Sequence, residues 1–373
     1  MAELSLQLPG KVFFGSDVLN LAGTLTAAYG TRAILISEYL LHEGRHIEKV
    51  QDILRKRGIE CIVVDDMGSQ GLRRDAAEVV DYAKASRIQV VIGLGGMKIL
   101  SQARRIACLS AAGDGADPHA RPLPYIEIPT VFRNPLLMSD AYLETDPASR
   151  RPRIVRAPEG LVRVALVDPS LTVTLSPKYA GALFLDSVLG ALEGYISGGA
   201  NFLSDALFLA ALKLLGEGID DAVRGVKDLR PRVKASQAGV LSAMGLATCS
   251  SGAGSALSYA INALFGTPKS WVGAVLLPHI MDLHLGSRAD KLAETAKALG
   301  EDIFGLGTAD AAACAPVRTR RVIAQLGLPG RLRDFDLKLS ELVDAAEAAS
   351  GFDPKNGLPM TVDALYDLLK RAY

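Results

Sequence analysis

Residues 92–104 read Ile-Gly-Leu-Gly-Gly-Met-Lys-Ile-Leu-Ser-Gln-Ala-Arg and continue an apolar run that starts at Gln89. A strand, a glycine turn and a helix in that order can bind a phosphate. The glycines let the backbone come close, and the start of the helix offers unpaired N–H groups and a partial positive charge. Gly93, Gly95 and Gly96 keep that geometry. The same glycines could equally do no more than close the turn, and the residues alone leave both readings open. Few other residues suit chemistry. There are only five histidines: His42, His46, His119, His279 and His284. The four cysteines, Cys61, Cys108, Cys249 and Cys314, are far apart without CxxC spacing, so a reducing, cytoplasmic compartment is expected.

The elements that must carry the turn are legible in the apolar pattern. Residues 32–37 (Arg-Ala-Ile-Leu-Ile-Ser) predict a short buried strand, and Ile47, Val50, Ile53 and Leu54 repeat at helical spacing. Further strands are expected at Glu60–Val64, Gln89–Gly93, Tyr125–Ile128 and Val164–Val167, with a helix over Ala76–Ala85. This alternation predicts a parallel sheet covered by helices on both faces. After Ser176 and Pro177 strand candidates almost cease. Helices are expected at 203–215, 236–249, 339–349 and 362–372, the last capped by Thr361 with Asp363 in its first turn. Two domains are therefore expected, an α/β one over 1–176 and a helical one over 177–373. Residues 113–122 have the composition of an exposed loop.

Composition removes several function classes. Lys+Arg equals Asp+Glu at 41 each, so no nucleic acid or anionic membrane partner is expected. The apolar stretches, such as 206–215, are too short to span a bilayer, and the N-terminus lacks a basic flank followed by an apolar core.

Several segments together resemble the iron-containing alcohol dehydrogenases. Residues 92–104 are similar to their signature Gly-Gly-Gly-Ser-x-x-Asp-x-Ala-Lys. Ile128-Pro129-Thr130 resembles the start of the Pro-Thr-Thr-Ala-Gly-Thr-Gly-Ser-Glu loop that wraps the cofactor. Val167-Asp168-Pro169-Ser170-Leu171-Thr172, the run Asp186–Tyr195, Ser204-Asp205-Ala206, the run Ala274–Met281 and Leu358-Pro359-Met360-Thr361 also match family segments. The resemblance implies an N-terminal Rossmann-like α/β domain and an all-α C-terminal domain, in the dehydroquinate synthase-like fold. It also implies an active site in the cleft between them, and an oligomer.

The chemical residues of those motifs have changed. The third glycine of the signature is Met97, the serine is Lys98, the aspartate is Ser101 and the lysine is Arg104. Met97 would crowd a pyrophosphate, and Lys98 would compensate with a cation. Glu38, near the family's aspartate, could accept from a ribose hydroxyl or lie in a solvated loop. After Thr130 the loop becomes Val-Phe-Arg-Asn-Pro-Leu-Leu, with Arg133 and Asn134 between apolar residues. The family's metal aspartate matches Asp186, whereas its three histidine ligands fall on Gly190, Ser255 and Lys269 and its catalytic histidine on Tyr259. On this ground no metal is expected, and NAD(P) binding is in question at two loops.

The replacements suggest chemistry of their own. Lys269 would pair with Asp186, and Ser255 and Tyr259 would lie one helical turn apart. A tyrosine beside a lysine can act as a general acid on a carbonyl oxygen. A structural ion pair with Tyr259 filling space is the other account. Three functions follow. One is a metal-independent NAD(P)-linked oxidoreductase acting on a small alcohol or carbonyl compound. The second is a repurposed cleft that binds an anionic small molecule through Lys98, Arg133 and Lys269. The third is a silent paralogue that works through a homo-oligomer, or through a hetero-oligomer with an active relative.

Overall fold

The computed structural model describes residues 6, 8, 10–67, 76–110, 121–224, 228–352 and 361–373. Residues 113–120 of the expected loop and the Leu358-Pro359-Met360 segment lie outside them. The described chain divides into two compact units. One is drawn from Gln7–Glu144 and Ile154–Thr174, the other from Met1–Leu6, Thr145–Arg153 and Leu175–Tyr373.

The first unit holds β1 (Lys11–Phe14), α1 (Ala22–Ala27), β2 (Arg32–Ile36), α2 (His46–Arg55), β3 (Glu60–Val64), α3 (Ala76–Ala85), β4 (Val90–Gly95), α4 (Met97–Leu109) and β5 (Tyr125–Pro129). The chain then forms β6 (Ala141–Thr145) and β7 (Pro152–Arg156), paired as a two-stranded sheet, and β8 (Val162–Val167). The main sheet is parallel, in the order β1-β8-β5-β4-β2-β3. β1 was not foreseen in the sequence, because Lys-Val-Phe-Phe is short and its ends are exposed.

Strand alternation explains why the strands read as continuous apolar runs. On one face Ile34, Ile36 and Val91 pack with Val79 and Val80 of α3 and with Ile99, Ala103 and Ile106 of α4. On the other, Ala33, Leu35, Val90, Ile92 and Leu94 pack with Ile47, Val50 and Leu54 of α2. A strand covered on both sides has no polar face. From β2 the chain moves outward to β3 and returns to β4 on the other flank of β2. That reversal is a topological switch point, where ligands of open α/β sheets bind beyond the carboxyl ends of the strands.

The second unit is helical: α5 (Pro177–Ile196), α6 (Phe202–Val223), α7 (Leu229–Thr248), α8 (Ala253–Phe265), α9 (Lys269–His284), α10 (Ala289–Ala298), α11 (Thr308–Gln325), α12 (Leu342–Ser350) and α13 (Val362–Ala372). α5 is buried all round from Ala180 onward, so it is a core helix rather than an amphipathic one. It packs against α6, α7, α8 and α9. Its start is set by Pro177 in the first turn and by Ser176, whose Oγ accepts the Tyr179 N–H at 3.3 Å. Thr361 caps α13 in the same way, accepting from the Ala364 N–H at 3.3 Å, with Asp363 in the first turn as expected. Among the described residues no single helix is long and apolar enough to cross a membrane.

A buried ion pair ties the sheet to the loop after β5. Arg104 of α4 and Glu127 of β5 are both essentially inaccessible, and their charges meet at 2.6 Å. Arg104 Nε donates to Glu127 at 2.7 Å, and Nη1 donates to the carbonyls of Ser139 (2.7 Å) and Ala141 (2.6 Å). Asn134 Nδ2 donates to the other Glu127 oxygen at 2.6 Å. Burial, the largest single influence, would lower the Arg104 pKa, but Glu127 and Tyr125 together outweigh it and the guanidinium stays charged. Replacing Arg104 with Met should cost about 3–5 kcal/mol, because it strands a buried carboxylate. The double variant Arg104→Met/Glu127→Leu should cost less, and urea unfolding of both proteins checks the order.

A second cluster lies at the corner of β2, α2 and β3. His42 bridges Glu48 (Nδ1, 2.6 Å) and Asp65 (Nε2, 2.8 Å). The Glu48 and Asp65 bonds raise its pKa above the ordinary 6.5. A raised histidine pKa stabilises the fold fully below 6.5, and this contribution is lost as pH climbs through the folded value. His42→Gln should therefore flatten the alkaline side of a Tm–pH curve, read by thermal unfolding across that range.

Candidate functional site

The glycine turn sits at the switch point. Gly95 ends β4 with φ of +156°, and a Cβ there would lie 2.9 Å from Ile99. A Cβ at Gly93 would collide with the Tyr125 hydroxyl. Both glycines are thus required by internal packing, which is the structural account of the turn. Gly96 differs. As the N-cap of α4 it has only Val131 near, at 4.0 Å from an added Cβ, so packing does not demand a glycine there. The space on its Cβ side is open, as a close-approaching ligand needs.

Glu38 follows β2 and is brought to the same place. Burial raises its pKa, while the Lys98 ammonium and a hydrogen bond from the Gly96 N–H pull the other way. A carboxylate beside the α4 N-terminus is stabilised by the helix dipole. The turn thus holds an anion of the protein's own. Lys98 is exposed and Met97 is half-buried. Glu38, Gly95, Gly96, Met97 and Lys98 are therefore gathered at one sheet end.

The remaining candidates of this unit are committed to the fold. Ser101 is buried, and its Oγ accepts the Leu143 N–H at 3.1 Å. Thr130 is buried, with its N–H on the Gly95 carbonyl at 3.0 Å. Arg133 is buried, as are Phe132, Leu136, Leu137 and Met138 around it. The segment after β5 is anchored through Asn134 to Glu127.

In the helical unit, Asp186, Lys269 and Tyr259 come together. Asp186 is 1 % exposed on α5. Lys269 Nζ donates to its Oδ1 at 2.6 Å and lies 4.8 Å from the Tyr259 ring centroid. Lysine in the first turn of a helix opposes the helix dipole, and the Asp186 carboxylate offsets that. One turn along α9, a Cβ at Gly273 would run into Asp186 Oδ1, so the glycine makes room for the carboxylate. Tyr259 stacks on Phe352 with centroids 5.1 Å apart. The turn from α8 to α9 is fixed by Gly266 in the left-handed region and by Asn262 Nδ2, which donates to the Thr267 carbonyl at 2.9 Å. Ser255 is fully buried one turn before Tyr259.

Sequence reading missed Glu193. It is a buried carboxylate on α5 that accepts the Gly254 N–H at 2.6 Å. Its signal was the glutamate within Asp186–Tyr195, seven residues after Asp186 and so on the same helical face.

Two family models match this chain. Residues 9–169 match the model described as iron-containing alcohol dehydrogenase, and residues 182–373 match the C-terminal part of the Fe-containing alcohol dehydrogenase family. The chain is 24 % identical to 1,3-propanediol dehydrogenase from Klebsiella pneumoniae, covering 96 % of this chain and 97 % of the relative. A solved 1,3-propanediol oxidoreductase shares the fold with a TM-score of 0.89 at 22 % identity, covering 100 % of both chains. The structure of sulfoacetaldehyde reductase from Bifidobacterium kashiwanohense in complex with NAD+ has a TM-score of 0.83 at 17 % identity, covering 100 % of this chain and 99 % of that one.

These matches correct one expectation. The absence of a metal, inferred from the missing histidines, conflicts with a family that is iron-containing, and it does not stand. The Asp186 cluster itself does not fit an iron ligand set. Its carboxylate is bonded to Lys269, and the described residues hold no group of three His, Cys, Asp or Glu side chains suited to a metal ion. With both halves matched and the fold shared along its length, this chain belongs to the iron-containing alcohol dehydrogenase family.

Proposed function

We propose that this protein is an NAD(P)-linked oxidoreductase that interconverts a small alcohol and its carbonyl compound. The observation that carries the reading is the switch-point turn. Gly96 is open although packing does not demand a glycine there, and Glu38 and Lys98 stand beside it. When bound, the nicotinamide supplies or takes up the hydride. Glu38 accepts from a ribose hydroxyl, and Lys98 neutralises the pyrophosphate. Lys269, held by Asp186, presents the cation of the helical cluster to the substrate oxygen. In reduction the Tyr259 phenol gives its proton to that oxygen, and solvent restores the proton. Ser255 backs Tyr259 from the preceding turn of α8.

The compartment in this reading is the cytoplasm, in keeping with four free cysteines. The working form is a homo-oligomer. A second reading draws on Asn134 and Ser101, whose side chains are bonded within the protein, and on Glu38 at the Gly96 amide. In it the protein is a paralogue without turnover, acting by binding an anionic small molecule or an active relative.

Titration with NADH and NADPH separates the readings, with metal content assayed on the same sample. Saturable binding of either nucleotide, weakened by Lys98→Ala, is the expected result. No binding at millimolar nucleotide removes the oxidoreductase reading. In a turnover assay against small aldehydes and ketones, Tyr259→Phe should lower kcat by about 10²–10⁴-fold while nucleotide affinity stays unchanged. An unaltered kcat takes the proton-donor role from Tyr259.

A further inference from the structure

α5 carries two buried carboxylates on one face, Asp186 and Glu193, with Gly190 between them. The Glu193 side chain is 3 % exposed. It accepts the backbone N–H groups of Gly252 (3.2 Å), Gly254 (2.6 Å) and Ser255 (3.2 and 3.3 Å). These are the N-cap residue and the second and third residues of α8. A helix starts with N–H groups that have no partner inside it, and a Ser, Thr, Asp or Asn at the N-cap commonly takes them. α8 has Gly252 at that position, with no side chain to do so. A neighbouring helix supplies the acceptor instead, with its negative charge at the positive end of α8.

The seat is shaped for this carboxylate. A Cβ at Gly252 would lie 2.8 Å from Glu193 Oε1, and one at Gly254 would lie 3.0 Å from it. The consequence falls on Tyr259, one turn beyond Ser255. Glu193 fixes where α8 begins and which way it is turned about its axis. Asp186, two turns earlier on the same helix, holds Lys269. One rigid helix face thereby sets both partners of the Tyr259–Lys269 contact.

We infer that Glu193 is a positioning residue for the Tyr259–Lys269 pair, acting through the start of α8. The effect on turnover rests on the proposed role of that pair, whereas the effect on the contact does not. The test is a double-mutant cycle in Tm on the full chain, using Tyr259→Leu and Lys269→Gln, run with Glu193 intact and again with Glu193→Gln. With Glu193 intact, the double variant should lose less Tm than the two single losses summed, by roughly 2 °C. With Glu193→Gln, that non-additivity should vanish. A purely structural cap would lower every Tm and leave the coupling in place. Coupling that persists in both backgrounds, or that is missing from the intact one, overturns the inference. If Glu193→Gln does not fold, Gly252→Ala crowds the same carboxylate and carries the same cycle. In turnover, Glu193→Gln should lower kcat about tenfold at unchanged nucleotide affinity. A wild-type protein without turnover would sink the oxidoreductase reading and leave the coupling result to decide this one.

Discussion

A buried carboxylate has to be paired, and in the helical unit that constraint organises everything around α5. Asp186 and Glu193 sit in a helix that is buried all round from Ala180 onward. Left alone, each would lose its hydration with no return. Asp186 is met by the Lys269 ammonium, and Glu193 by the amides that open α8. Satisfying the two charges therefore sets the placement of α9 and α8. The glycines at 252, 254 and 273 are the complement of this arrangement, since each leaves room for a carboxylate oxygen.

The α/β unit answers the same constraint with a different pair. Arg104 and Glu127 neutralise each other in the core, and their remaining hydrogen-bonding groups reach Asn134 and the carbonyls of Ser139 and Ala141. The segment after β5 is thereby held by a charge network. Flexible glycines would not do this, and the segment between Thr130 and Met138 has none. At the edge of that network the Gly96 amide and Glu38 share the switch point, where a parallel sheet leaves its strand ends open.

Much of this was legible in the residues. The strands at 32–36, 60–64 and 125–129 and the cap at Thr361 follow from apolar runs and from a hydroxyl placed before a helix. The pairing of Asp186 with Lys269 was also expected, because the resemblance sets Lys269 at a ligand position beside that aspartate. β1 was not legible, because four residues with exposed ends carry too little pattern; only the neighbouring β8 makes them a strand. Glu193 was hidden for a different reason. A glutamate inside a helix gives no sign of whether it faces water or the start of another helix.

The sequence by itself determined the fold class and the family, since hydrophobic period and motif order are properties of the chain in one dimension. It also determined which residue types were available for chemistry. Tertiary structure alone decided what most of those residues are bonded to. It assigned Gly93 and Gly95 to packing and left Gly96 open, turned Ser101 and Asn134 to internal partners, and laid Lys269 across the Tyr259 ring. The physical reason is range. A helix or strand is specified by neighbours a few residues away, whereas Glu193 and the Gly254 amide are 61 residues apart in the chain and meet only because burial obliges a charge to find a partner.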